Sequence, residues 1–238
     1  MSRLVIAIQH YHGDAPQAAR LVRLITDAER EPRSDVELCI VRRFDTEPDT
    51  DSLIYAASKF KVSCFKTSTP WTGWPGGCNG VALDLLKESD RRVKSGEWAD
   101  VDGLLMIEPD CVPCVPDWID QIRVAWLRAR MDSKIIMGSW RNSGGPDGHI
   151  NGNCVVMPDL ASVIGTDMIG PGLAWDCALT PYVKDKWAIS SLFKNMFQSK
   201  DATEYDLKTP ESGAVRPVLV HGYKDTSAIE IAEGWLKL

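Results

Sequence analysis

Residues 104–113 read LLMIEPDCVP, an apolar run that stops at Glu108-Pro109-Asp110. Acids at the edge of a core are costly to desolvate without a counter-charge. The pattern therefore calls for a helix N-terminus, a basic side chain or a metal ion beside them. Pro109 restricts the backbone between the two acids, and in an extended segment residues i and i+2 point to the same side. Two carboxylates on one side make a hard-oxygen half-site for Mg²⁺ or Mn²⁺, ions that keep waters and take substrate phosphates as further ligands. The plainer alternative is that Asp110 caps a helix or pairs with an arginine. Near the other end of the chain, His221-Gly-Tyr-Lys224-Asp225 follows the apolar run 218–220. A histidine and a lysine three residues apart could hold a metal and a phosphate together.

Three further groups carry chemistry. The loop TPWTGWPGGCNG at 69–80 holds Gly73, Gly76, Gly77 and Gly80, which let a backbone approach a ligand closely. It is neither GxGxxG nor GxxxxGK[ST], so a dinucleotide fingerprint and a Walker loop are both absent. Trp71 and Trp74 could cover a base or a sugar, or simply pack under the loop, and Asn79 is placed to cap the helix that follows. Trp175-Asp176 offers a single carboxylate, either a general base or a turn former, and His149 and Asn151 in GHINGN could contact a sugar or an acceptor. Cys111-Val-Pro-Cys114 has the spacing of a redox pair, but the two acids just before it would raise the thiol pKa. No second CxxC completes a zinc site.

The elements that must position these residues follow from periodicity. Apolar runs at 3–8, 36–41, 61–65, 101–107 and 135–137 read as buried strands. Ala18, Leu21, Val22, Leu24, Ile25 and Ala28 fit one face of a helix over 15–30, a short helix begins near 53–57, and Val81, Ala82, Leu85 and Leu86 share a face after the glycine loop. Pro116 and Asp117 suit the first turn of a helix bearing Ile119, Ile122, Val124, Trp126 and Leu127. Strand and helix thus alternate over the first 140 residues, the signature of a mostly parallel α/β sheet. After residue 140 the texture changes: 143–148 and 166–172 are rich in glycine and proline, 155–157 is a short strand and 188–197 reads as a helix. With no linker in view, the expectation is one domain over 1–238, a nucleotide-binding half at 1–140 and an acceptor half at 141–238. Ligands of open α/β sheets bind outside the carboxyl ends of the strands. The ends at 9–12, Asp45, the tryptophan/glycine loop and Glu108/Asp110 are therefore expected to face one crevice.

The 238 residues carry a net charge of −6, with 44% apolar and 25% charged residues. That composition is ordinary for a globular protein and excludes nucleic-acid binding through bulk charge. The local arginine concentrations at 42–43, 91–94 and 123–130 read as solvated faces. No apolar run approaches a membrane span, and the start reads as a first strand rather than a signal peptide. Seven scattered cysteines fit free thiols in a reducing compartment, so a cytoplasmic location is expected, the host cytoplasm if the source is viral.

Taken together, the α/β nucleotide half, the acid-x-acid step after the fourth strand and the C-terminal histidine resemble GT-A fold glycosyltransferases. The resemblance implies that Glu108-Pro109-Asp110 stands for the family's Asp-x-Asp motif and that Mn²⁺ or Mg²⁺ there bridges the diphosphate of a nucleotide sugar, with a UDP-sugar favoured. It implies His221 as a third metal ligand, Lys224 as the diphosphate contact and Tyr11 as a contact to the nucleotide base. Asp45, Trp74, Gly76, Gly77 and Asn79 complete the expected donor site. Asp176 resembles the base of inverting members, with His149, Asn151 and Trp175 on the acceptor side. The family's base often sits in a Glu-Asp pair, and here Trp-Asp stands alone, which leaves inverting and retaining chemistry both open. The compact size and the HGYKD ending are also similar to small phage glycosyltransferases, some of which act on hydroxylated bases in DNA, so a hydroxymethylated pyrimidine joins glycans and small molecules among the expected acceptors. Two other classes stand beside this one. A sugar-nucleotide-binding protein without turnover needs only the front half. A nucleotidyltransferase usually wants a basic loop near strand one, and 9–14 has no Lys or Arg.

Overall fold

A computed structural model describes residues 2–142, 148–210 and 215–236. The front half alternates as the apolar runs require: β1 (Arg3–His10), a 3₁₀ turn (His12–Asp14), α1 (Ala15–Ala28), β2 (Arg33–Arg42), α2 (Thr50–Ala56), β3 (Phe60–Lys66), α3 (Gly76–Lys94) and β4 (Val101–Ile107). β1 to β4 are mutually parallel in the order β3-β2-β1-β4. Alternate residues of β1 explain why the run is apolar on both faces. Leu4, Ile6 and Ile8 pack with α1 and with α4 (Trp118–Met131), while Val5 and Ala7 pack with α3. Strands covered on both sides read as continuous hydrophobic runs rather than alternating ones.

β6 (Ile136–Arg141), β7 (His149–Val156) and β8 (Trp187–Ile189) extend the same sheet in the order β4-β7-β6-β8, and β7 alone runs against its neighbours. A second, three-stranded sheet places β10 (Leu219–Tyr223) between β5 (Cys111–Pro113) and β9 (Phe193–Ser199). Two short helices, α5 (Leu160–Ile164) and α7 (Glu204–Lys208), the longer α6 (Trp175–Val183) and α8 (Ser227–Leu236), and a 3₁₀ turn (Lys184–Lys186) complete the described chain. α8 closes a third core with Leu24 and Ala28 of α1, Val112 of β5 with Cys114 just beyond that strand, and Val220 and Tyr223 of β10. No helix among the described residues is long and apolar enough to cross a membrane.

Several local expectations are corrected. The stretch 188–197 is two strands instead of a helix, because β6 and β10, distant in sequence, supply the hydrogen-bonding edges that its side-chain spacing cannot reveal. α3 starts at Gly76 with Pro75 at its N-cap, so Asn79 lies inside the helix and does not cap it. The strand expected at 155–157 is the end of an eight-residue β7. Of the glycine-rich stretch 143–148, only Gly148 lies within the described residues. Arg43 and Arg92 are buried rather than on solvated faces, Arg92 between Glu88 and the ring of Trp98.

Candidate active site

The strand order reverses between β1 and β4, so the carboxyl ends of these two strands open a crevice at the switch point. Beyond β4 the chain does not continue extended. Cys111 N donates to Glu108 O at 3.0 Å, closing a tight turn over 108–111. The two acids therefore converge through a turn, not through the extended i, i+2 geometry expected from sequence. β5 leaves that turn to pair antiparallel with β10 in a register that sets His221 opposite Cys111. His221 Nε2 then lies 3.0 Å from Glu108 Oε2 and 3.2 Å from Asp110 Oδ1, and Lys224 Nζ lies 2.5 Å from Asp110 Oδ2. The counter-charge demanded by two acids at a core edge is thus present in the chain itself.

The electrostatics follow from that packing. Burial alone would push the Asp110 carboxyl up, but the adjacent His221 and Lys224 override it and hold it below the usual carboxylate range. Burial opposes charge on His221, yet Asp110 and Glu108 keep the imidazole protonated well above its ordinary range. Donor atoms of Glu108, Asp110 and His221 all lie within 4.8 Å of one another. Two carboxylates and one imidazole fit an ion that prefers oxygen ligands, such as Mn²⁺ or Mg²⁺.

A second cluster lines the ends of β1 and β2. Arg43, buried, donates from Nε and Nη2 to both oxygens of Asp45 at 2.7 and 2.6 Å, holding that carboxyl down to about 2. The guanidinium carbon also lies 5.0 Å from the centre of the Tyr11 ring. Two glycines make room here. A Cβ at Gly13 would fall 2.5 Å from the Tyr11 ring, and one at Gly77 would come within 3.1 Å of Arg43 Nη1. Gly76 lies against Pro171, and Trp74 is 82% exposed at the rim. Asp45, Tyr11 and Gly77 are thus drawn together through Arg43, a residue the sequence reading left on the surface. Asn79 is different. Its amide nitrogen donates to Gly170 O and Leu173 O, and its oxygen accepts from Trp175 N at 2.8 Å. With its polar atoms committed to backbone, Asn79 fixes the segment that delivers Asp176.

Asp176 stands in the first turn of α6, where Cys177 N and Gly152 N donate to its two oxygens at 2.9 Å each. His149 Nε2 is 3.5 Å from Asp176 Oδ2. Burial pushes the carboxyl up, countered by His149 and the two N–H groups, and the charge of Glu108 pushes it further up. Trp175 is buried, its indole against Gly152, and Asn151 is half-buried on β7. The cysteine pair lacks redox character: Cys111 and Cys114 are buried and burial pushes both thiols up, that of Cys114 to about 12.

Asp14 was not singled out in the sequence. Burial raises its carboxyl to about 7, against a hydrogen bond from Tyr11 N, and Glu108 and Asp110 raise it further. The unfolded chain ionises this group near its ordinary 3.8, so folding loses stability as pH rises from there toward 7, and the deficit is complete above that. Asp14→Asn keeps the acceptor for Tyr11 N and removes the charge. In EDTA it is expected to melt above the wild type at about pH 8, with the difference vanishing toward about pH 4. Equal melting temperatures at both values would contradict this account.

No protein-family model matches the chain, and no curated protein matches it in sequence. Solved structures do resemble it. The galactosyltransferase LgtC in complex with donor and acceptor sugar analogs aligns with a TM-score of 0.57 at 11% identity, over 98% of this chain and 96% of that one. A fragment of S. aureus TarS in complex with UDP-GlcNAc aligns at 0.56 and 9% identity, over 96% of this chain and 60% of that one. The bifunctional glycosyltransferase WbbM aligns at 0.54 and 10% identity, over 92% of this chain and 45% of that one. This chain therefore spans less than two thirds of the TarS fragment and of WbbM. Its mixed α/β fold, with a largely parallel central sheet, matches that of GT-A glycosyltransferases.

Proposed function

We propose that the chain is a metal-dependent glycosyltransferase that moves a hexosyl or pentosyl group from a nucleoside-diphosphate sugar, a UDP-sugar by preference, to an acceptor hydroxyl. The observation that carries this reading is the convergence of Glu108, Asp110, His221 and Lys224, from segments more than a hundred residues apart, at the switch point of a GT-A-type sheet. The UDP-GlcNAc and the sugar analogs bound by TarS and LgtC add weight to a nucleotide-sugar donor.

In this reading residues 1–140 bind the donor and 141–238 supply the acceptor side and the C-terminal metal and phosphate contacts. Tyr11, Arg43 and Asp45 face the nucleotide, with Gly76, Gly77 and Trp74 along the rim. Glu108, Asp110 and His221 would hold Mn²⁺ or Mg²⁺, which when bound supplies positive charge against a diphosphate leaving group. Lys224 adds a second cation at the same oxygens. The bond from the sugar carbon to the diphosphate oxygen breaks as the acceptor oxygen bonds to that carbon, which gains oxocarbenium character on the way. Asp176 takes the acceptor proton, with His149, Asn151 and Trp175 around the acceptor. A hydroxymethylated pyrimidine in DNA is tested beside glycan and small-molecule acceptors.

A thermal-shift panel of sugar nucleotides with Mn²⁺, Mg²⁺ or EDTA tests the proposal. A donor at one hundred times its Kd stabilises by about 2.7 kcal/mol, roughly 5–10 °C for a chain of this size. A metal-dependent shift with one donor, followed by release of nucleoside diphosphate on adding acceptor, is the expected result. Absence of a shift with every donor would overturn it, and binding without release across the acceptors would leave a sugar-nucleotide-binding protein.

A further inference from the structure

One buried amide ties the acid-bearing turn to the strand beside it. The ladder between β4 and β7 ends with Met106 opposite Cys154. Asn153, the next residue along β7 toward the site, is 4% exposed. Its Oδ1 accepts from Glu108 N at 2.8 Å and from Cys111 Sγ at 2.9 Å. A single oxygen therefore holds both ends of the turn that carries the two acids. The amide cannot be turned over. Its Nδ2 donates to Asn151 Oδ1 at 3.0 Å, which also accepts from Asn153 N at 3.0 Å. Flipping would set an NH₂ group against an N–H and an S–H donor, and an oxygen against an oxygen. The residue between the two asparagines, Gly152, donates its N–H to Asp176 Oδ2. Three consecutive residues of β7 thus reach both the acid turn and Asp176.

We infer that Asn153 is a positioning residue for the metal site: by clamping Glu108 N and Cys111 Sγ it sets the turn so that both carboxylates face the same nitrogen of His221. This rests on the reading of Glu108, Asp110 and His221 as metal ligands. The physical need is specific. Glu108 is partly exposed, and Asn153 holds its backbone N–H from outside the turn. Without it the turn keeps its internal Cys111 N to Glu108 O bond and the pairing of Cys111 with His221, but its β4 end, with Glu108, is freed to draw away from His221 Nε2. The reduced thiol of Cys111 finds its role here as the second donor to the clamp. Partners outside a metal's own ligand set commonly cost about 10- to 100-fold in metal affinity when removed.

The test is a Mn²⁺ titration, with free ion followed by electron paramagnetic resonance, on the full chain and on Asn153→Ala, Asn153→Ser and Trp126→Phe. The last removes the indole hydrogen bond to Asp102 O at the opposite end of β4 and so perturbs the same strand without touching the turn. The expected result is a Kd for Mn²⁺ raised at least about tenfold in folded Asn153 variants, with Trp126→Phe unchanged even where it melts lower. Wild-type affinity in a folded Asn153→Ala would overturn the inference and leave the metal site standing. Absence of Mn²⁺ binding by the wild type would remove the metal reading and this inference with it. Loss of folding in both Asn153 variants would make the residue a pin of the fold and overturn its assignment as a positioning residue.

Discussion

Asp110→Asn is expected to lower metal-dependent sugar transfer by about 10³-fold or more, the scale of several kcal/mol of charge stabilisation at a leaving group. Asp110 is the more enclosed of the two acids, 4% exposed, and both of its oxygens meet a cation. Asparagine preserves its shape and hydrogen-bonding oxygen but not its charge. The substitution also costs stability, because removing one partner of a buried pair leaves the other uncompensated, about 3–5 kcal/mol where the pair is fully enclosed. Two features of the site reduce that cost. Glu108 still faces His221 at 3.0 Å, and the Lys224 side chain is 46% exposed and can turn to water. His221 meets the remainder by giving up the proton that Asp110 helps it keep. The variant is therefore expected to melt lower but fold, and to lose Mn²⁺ binding and turnover together. Full activity in a folded Asp110→Asn would remove Asp110 from the metal set. Loss of turnover with Mn²⁺ binding retained would instead place the residue's role at the donor.

The front half of the fold was legible because parallel strands covered on both faces leave long apolar runs, and β1 to β4 fall on the runs at 3–8, 36–41, 61–65 and 101–107. An acid pair at the end of such a run is also a sequence-level signal, since only a counter-charge makes it tolerable. That His221 answers it depends on the register of β10 against β5, to which the sequence offers only the hint of another apolar run ending in a basic pair. The back half was less legible for the same reason in reverse. The strands at 187–189 and 193–199 exist because distant edges accept them, and α6 and α8 lie where glycine-rich texture and a short C-terminal stretch masked a helical face. Arg43 and Asn153 left no local trace. The importance of Arg43 comes from Asp45 and Tyr11 meeting across two strand ends, and that of Asn153 from a turn forty-five residues away in sequence. Polar residues whose partners are all tertiary look in sequence like any other surface arginine or asparagine.

Asp176→Asn is the second large effect, expected to cut kcat by about 10²- to 10⁴-fold, the range of positioned acid–base assistance. The environment suits a base: burial raises the carboxyl above its ordinary range, while His149 and two backbone N–H groups favour the anion. A carboxylate whose pKa is raised takes an alcohol proton more effectively, when ionised, than an ordinary surface aspartate. The asparagine substitution carries a cost in this pocket. One of the two N–H groups, of Gly152 or Cys177, must then face the amide nitrogen, a donor against a donor, at a cost of about 1–3 kcal/mol. A fall in melting temperature is therefore part of the expected result and does not by itself explain lost turnover. The separation comes from donor binding. If Asp176 acts only on the acceptor proton, the variant binds Mn²⁺ and nucleotide sugar with wild-type affinity while kcat collapses. Weakened donor binding in parallel with kcat would mean that the change propagates through Gly152 and Asn153 to the acid turn, and an unchanged kcat would move the base elsewhere or favour a route that retains the configuration at the sugar carbon.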